Sequence, residues 1–150
     1  MTIHRRAFLS ASAALVALTI SPRPFAWADL DDEVAAAIRA AINGRDVTEG
    51  GIELDLPEIA ANGASVPLGV IVESPMTADD HVRAIHVFAT RNPAPGIGVF
   101  HLSPANGRAE VTTRIRLADD QEVIVLAELS DGTLLRQSAF VEVSVGGCTT

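Results

Sequence analysis

Residues 109–129 run Ala109-Glu110-Val111-Thr112-Thr113-Arg114-Ile115-Arg116-Leu117-Ala118-Asp119-Asp120-Gln121-Glu122-Val123-Ile124-Val125-Leu126-Ala127-Glu128-Leu129. Val111, Thr113, Ile115 and Leu117 alternate with Glu110, Thr112, Arg114 and Arg116, the two-residue period of a strand with one apolar and one polar face. Beyond Asp119-Asp120 the same period resumes, with Val123, Val125, Ala127 and Leu129 on one face and Glu122, Ile124, Leu126 and Glu128 on the other. Ile124 and Leu126 make the second face partly apolar, so this strand is central in its sheet or covered on its outer side. A chain this small looks unable to cover both faces itself, and the pattern predicts a heterodimer with another small β-sandwich protein.

Turn signals divide the rest of the chain into similar segments. Gly51 to Leu56 stops at Pro57, Val66 to Glu73 follows Asn62-Gly63 and stops at Pro75, and Val82 to Thr90 stops at Asn92-Pro93-Ala94-Pro95-Gly96. Ile97 to Ser103 stops at Pro104 to Gly107, Ala109 to Leu117 at Asp119-Asp120, and Glu122 to Leu129 at Ser130-Asp131-Gly132. Thr133 to Val145 runs to the terminal segment. About seven short strands with frequent turns predict an all-β fold, an immunoglobulin-like antiparallel sandwich over residues 29–145. One helix precedes it: Asp29 to Asp32 offer N-terminal carboxylates, Val34, Ile38 and Ala41-Ile42 recur at helical spacing, and Asn43-Gly44 stops the run.

The two ends of the sequence carry the other signals. Arg5-Arg6 open a basic segment, Ala7 to Ile20 is small and apolar, and Ala26-Trp27-Ala28 has the form of a cleavage site. The apolar stretch falls short of the ~20 residues a spanning helix needs, so residues 1–28 read as a twin-arginine export signal cleaved after Ala28, with a periplasmic destination. Its removal leaves eight arginines, no lysine and 19 acids, a formal charge of −11. Such a surface disfavours nucleic acid and anionic lipid.

Val145-Gly146-Gly147-Cys148-Thr149-Thr150 closes the sequence, and Cys148 is the sole cysteine. A lone thiol in an exported protein cannot pair within its own chain and suggests an intermolecular partner or reactive chemistry. One thiolate cannot supply a multi-cysteine zinc site, and two residues after the cysteine do not make a prenylation signal. Ala139, Val141, Val143 and Val145 alternate with Ser138, Phe140, Glu142 and Ser144, so a strand runs up to Gly146, where two glycines free the backbone. Three extended residues carry the thiol about 10 Å past Val145. Residues 146–150 are therefore expected to form a flexible arm that enters another protein's site.

Other residues have local explanations. Glu58 and Asn62 suit a turn or cap, and Asp119, Asp120 and Asp131 suit turns. His81, His86 and His101 lack a tight metal-ligand spacing and read as structural or solvated. A metal site combining Met76 with Cys148 requires contacts the sequence does not indicate, and neither a phosphate-binding loop nor a nucleophile elbow is present.

The segment Gly51-Ile52-Glu53-Leu54-Asp55-Leu56-Pro57-Glu58-Ile59-Ala60-Ala61-Asn62-Gly63 with Val66-Pro67, Asn92-Pro93-Ala94-Pro95 and the ending Val143 to Cys148 together resemble the SoxY family of periplasmic thiosulfate-oxidising systems. The resemblance implies that Cys148 covalently carries sulfur intermediates, with no other cofactor and no turnover by the carrier itself. It also implies a SoxZ-like partner in a heterodimer, a c-type cytochrome that conjugates thiosulfate, a hydrolase that releases sulfate and, where present, a sulfur dehydrogenase. The family's usual ending is Gly-Gly-Cys-Gly-Gly; here the bulkier, β-branched Thr149-Thr150 follow the cysteine. The residues alone also admit a thiol redox protein, although no histidine or arginine adjoins Cys148 to lower its pKa, and a non-catalytic binding sandwich.

Overall fold

The computed structural model describes residues 31–145. The expected export signal with Ala28, and Gly146, Gly147 and Cys148 of the expected arm, lie outside the described residues.

Helix α1 (Asp32–Ile42) comes first, followed by β1 (Val47–Glu49), β2 (Ile52–Asp55), β3 (Ile59–Ala60), β4 (Val66–Val72) and β5 (Val82–Ala89). Then come β6 (Gly96–His101), a single 3-10 turn at Pro104–Asn106, β7 (Ala109–Ile115), β8 (Gln121–Leu129) and β9 (Leu134–Val143). All seven expected strands are present. Two short ones, β1 and β3, were not legible as strands.

The strands form two sheets, β2-β4-β7 and β1-β9-β8-β5-β6, with β3 also pairing with β9. The long ladders are antiparallel, as expected, but β1 and β3 both run parallel to β9. Each is too short to show an alternating pattern; each lies along one end of β9, where it occupies backbone groups that an open edge would leave unpaired. At the β1 end the buried Arg136 of β9 adds a side-chain tie, its guanidinium donating to both carboxylate oxygens of Glu49 at 2.9 and 3.1 Å.

The core lies between the sheets. Val66, Leu68 and Val70 from β4 and Val111 and Ile115 from β7 meet Ile85 and Val87 of β5, Val123 and Val125 of β8, and Val141 of β9. This is the face the alternation predicted.

The outer face of the larger sheet is covered, as expected, but by the chain itself rather than by a partner. Ile124 and Leu126 are fully buried, packed with Phe88 against Val34 and Ile38 of α1. The chain covers the second face of β8 with its own helix, so the apolar outer face of β8 gives no reason for a partner. The helix suits this place: Asp32 and Glu33 face the positive end of its dipole, and Asn43, at φ 50°, ends it in the left-handed region, its N–H donating to Arg39 O. Arg45 then donates to the last carbonyls, from Nε to Ile42 O and from Nη2 to Ala41 O.

Candidate functional site

The last described residues show how the segment carrying Cys148 is launched. The β8–β9 ladder ends at Gln121 opposite Val141, yet the strand's path stays fixed for four more residues. On the β8 side, the Val143 N–H donates to Asp120 Oδ1 at 2.7 Å. On the other side, Glu142 and Ser144 N–H donate to the carbonyls of Glu58 and Ala60, both at 2.9 Å. Val145 O then accepts from Gly63 N at 2.7 Å, while Gly63 O accepts from Leu117 N at 2.8 Å. Gly63 thus ties the end of β9 to the segment leaving β7, across the two sheets.

The 58–63 motif therefore acts as a clamp on the end of β9 and the two residues after it. Asn62 serves its turn, accepting from Ala64 N at 2.8 Å. Asp119 is likewise local, accepting from Asp120 N at 2.9 Å. Asp120 is more than a turn residue, because its carboxylate replaces the ladder carbonyl that β8 no longer supplies to Val143.

A second polar tie stiffens the same end. Buried Gln121 accepts from Arg91 N at 2.9 Å and donates to Asn92 Oδ1 and Asp119 O, both at 3.0 Å. Asn92 also accepts from Ala118 N at 2.9 Å and donates to Arg116 O at 2.8 Å. Asn92-Pro93 is thus part of a cross-link between the turn after β5 and the turn after β7. Its signal in the sequence was that of a turn, and the link to Gln121 had no local trace.

The histidines lie elsewhere. His81, His86 and His101 line an open cleft of about 370 Å³ with Arg83, Ala84, Leu102 and Glu128. Strand pairing brings them together, since Ala84 is opposite His101 and also opposite Glu128. His81 Nδ1 and His86 Nε2 are buried without a hydrogen-bond partner. Burial lowers the pKa of His86; Glu128 opposes that shift, and Arg45 and His101 add to it. Glu128 is itself held by Arg45 at 2.9 Å. Among the described residues no group of three or more His, Cys, Asp or Glu is arranged to hold a metal ion, and Met76 is buried in the inner core. Glu128 pairs with Leu134 at the start of β9, so the cleft lies on the order of 30 Å along the strand from Val145. Three residues span at most about 10 Å, less than the distance from Val145 to this cleft.

The family described as sulfur oxidation protein SoxY matches residues 38–148. The chain belongs to the SoxY family. That match includes the clamp at 58–63, Asn92, Asp120 and the segment through Cys148. The structure of the sulfur carrier protein SoxY from Chlorobium limicola f thiosulfatophilum is similar at 29% identity, covering 75% of this chain and 97% of that one, with a TM-score of 0.63. A superoxide reductase (neelaredoxin) from Ignicoccus hospitalis shares the fold at 14% identity over 65% of this chain and 94% of that one, TM-score 0.58. A superoxide reductase from Nanoarchaeum equitans does so at 8% identity over 61% and 91%, TM-score 0.52. The likeness to the reductases is one of fold alone. No curated protein sequence matches the chain. As a SoxY protein, the chain is a sulfur carrier of sulfur oxidation, and its immunoglobulin-like sandwich with an N-terminal helix is the family's fold.

Proposed function

We propose that this SoxY protein carries sulfur covalently on Cys148. The observation that supports this most is that the strand leading to the cysteine is clamped on both edges up to Val145, three residues before the sole thiol. A rigid base and two intervening glycines suit a group that must be presented rather than packed.

Conjugation joins the Cys148 sulfur to the sulfane sulfur of thiosulfate. The thiol loses one proton, the new S–S bond releases two electrons, and a c-type cytochrome takes them, leaving a cysteine S-thiosulfonate. Water then cleaves the terminal S–S bond at a hydrolase, releasing sulfate and two protons and leaving a persulfide anion on Cys148. A sulfur dehydrogenase, where present, oxidises the remaining sulfane sulfur. Within the carrier, Asp120, Gly63 and the carbonyls of Glu58 and Ala60 hold the arm's base while the enzymes perform the chemistry. The working form is a heterodimer with a SoxZ-like protein, exported to the periplasm through the twin-arginine signal at residues 1–28. Thr149-Thr150 widen the tip relative to a Gly-Gly ending, so the receiving sites must accept two β-branched residues.

Intact-mass analysis tests the attachment. Wild-type protein incubated with thiosulfate and its oxidising cytochrome should gain a reducible adduct; thiosulfate alone, lacking an acceptor for the two electrons, should give none. Cys148→Ser should form no adduct and keep its thermal midpoint. Unimpaired thiosulfate oxidation in cells whose sole copy is Cys148→Ser would eliminate the carrier reading.

A further inference from the structure

Among the described residues four large hydrophobic side chains are exposed: Ile59 at 62%, Phe140 at 59%, Val145 at 61% and Val99 at 47%. Three of them are gathered where the arm leaves the sandwich. Ile59 of β3 is paired with Glu142 of β9, and Phe140 is two residues earlier on the same face of β9. With strands about 4.8 Å apart and two residues rising about 6.6 Å, the two positions are about 8 Å from each other. They sit on the outer face of the larger sheet, whose covered part is built by α1 on Phe88, Ile124 and Leu126. The helix does not extend over Phe140.

The residues around this pair are acidic. Glu142 stands beside Ile59, Glu58 precedes it, and Glu122 is opposite Phe140 in the β8–β9 register. Arg136, the nearest arginine on β9, is buried and bonded to Glu49. The surface is therefore a small apolar pair inside a carboxylate rim. Its size suits a transient contact of under about 1,200 Å² rather than the large apolar interface of a permanent dimer.

Distance identifies what covers it. Cys148 lies within about 10 Å of Val145 along an extended chain, so a protein that takes the thiol into its own site must approach this end of the sandwich. We propose that Ile59 and Phe140 form the docking surface for the enzymes that receive the arm, and that its complement is an apolar recess rimmed by arginine or lysine at the mouth of such an enzyme's site. The proposal rests on the carrier reading and adds to it where the enzyme holds the carrier. Apolar contact would anchor the complex, and the carboxylate rim would steer its approach.

The test uses the full protein, in whatever complex it is recovered from cells, as substrate for the oxidase that joins thiosulfate to its thiol. Phe140→Ser and Ile59→Ser should each raise the apparent KM for the carrier about tenfold, as loss of an interface anchor does, with kcat unchanged. Val99→Ser, at the far edge strand of the same sheet, should leave KM as in wild type. Alkylation of the thiol by iodoacetamide should proceed equally in all four proteins, and their thermal midpoints should coincide, since all three altered side chains are already exposed. An unchanged KM in both Phe140→Ser and Ile59→Ser would overturn the proposal. So would loss of a permanent heterodimer in these variants, or dissociation of a wild-type homodimer, because either would assign the face to a fixed subunit. Failure of the carrier reading has a different signature: no adduct forms on wild-type Cys148 at any carrier concentration.

Discussion

The two ends of the sandwich are built on opposite plans. Where β9 finishes, the Asp120 carboxylate, buried Gln121 and the segments at 58–63 and 91–92 bond to the backbone around them, while the side chains of Ile59 and Phe140 face solvent. At the other end, one ring nitrogen each of the half-buried His81 and His86 is buried without a hydrogen-bond partner, and the surroundings are charged. The first arrangement holds a strand's path fixed and offers a dry contact surface. The second makes a group sensitive to protonation. The comparison separates presentation, which needs a rigid base, from titration, which needs an environment that disfavours charge.

The largest effect that would break this comparison comes from shortening the arm. Deleting Gly146-Gly147 keeps the thiol but removes about 7 Å of reach. Transfer to the partner enzymes should fall by at least about tenfold, equivalent to ~1.4 kcal/mol of lost transition-state stabilisation, while alkylation by a small thiol reagent continues at its former rate. Equal losses in both reactions, measured side by side, would show that the glycines act on thiol reactivity rather than on presentation.

A smaller effect is expected from the clamp. Asp120→Ala leaves the Val143 N–H without its acceptor and should cost about 1 kcal/mol of stability. Hydrogen exchange at Val143 and Ser144 should quicken well before exchange at Val123 or Val125 in the core. Asp120→Asn keeps an oxygen in place and should restore most of the protection. Undiminished protection in Asp120→Ala would mean that β3 alone holds the strand.

The smallest effect belongs to the histidine end. Burial holds the folded-state pKa of His86 below its usual 6.5 despite Glu128, with Arg45 and His101 acting in the same direction as burial. The unfolded chain therefore binds the proton more readily. Stability linked to this group is fully present above the unfolded pKa and is lost as pH falls through 6.5 toward the lower folded value. His86→Gln should flatten the fall in thermal midpoint between pH 7 and 5, and leave carrier transfer at pH 7 as it was. A slope equal to that of wild type would assign the pH dependence to other groups.

Much of this division was written in the local pattern of residues. The alternation through Val111–Leu117 and Val123–Leu129 fixed β7 and β8, and Asn43-Gly44 marked the end of α1. The apolar Ile124 and Leu126 correctly signalled a covered outer face, but not what covers it, because helix docking is a long-range choice that neither segment encodes alone. β1 and β3 were missed since three and two residues cannot display a period. Asp120 read as a turn former because its acceptor role spans 23 positions of sequence. The histidine cleft was equally hidden: only the pairing of β5 with β6 and β8 brings residues 81, 86, 101 and 128 to one place. The course of the last strand was legible in the sequence; the bonds that hold its end required the fold.

The parallel pairing of β1 and β3 with β9 also governs the order in which the molecule can be completed. Glu49 meets Arg136 across 87 positions of sequence, and Ile59 waits for Glu142. Loops this long close late, since their entropy must be overcome before the contact forms. During synthesis, then, β1 and β3 have no partner until the last strand emerges. A chain interrupted before residue 134 lacks both the thiol and the strand that would seal the larger sheet, leaving β8 with an open edge. Such a fragment exposes along β8 the row of backbone groups that β9 covers in the complete chain, a ready template for pairing with another chain.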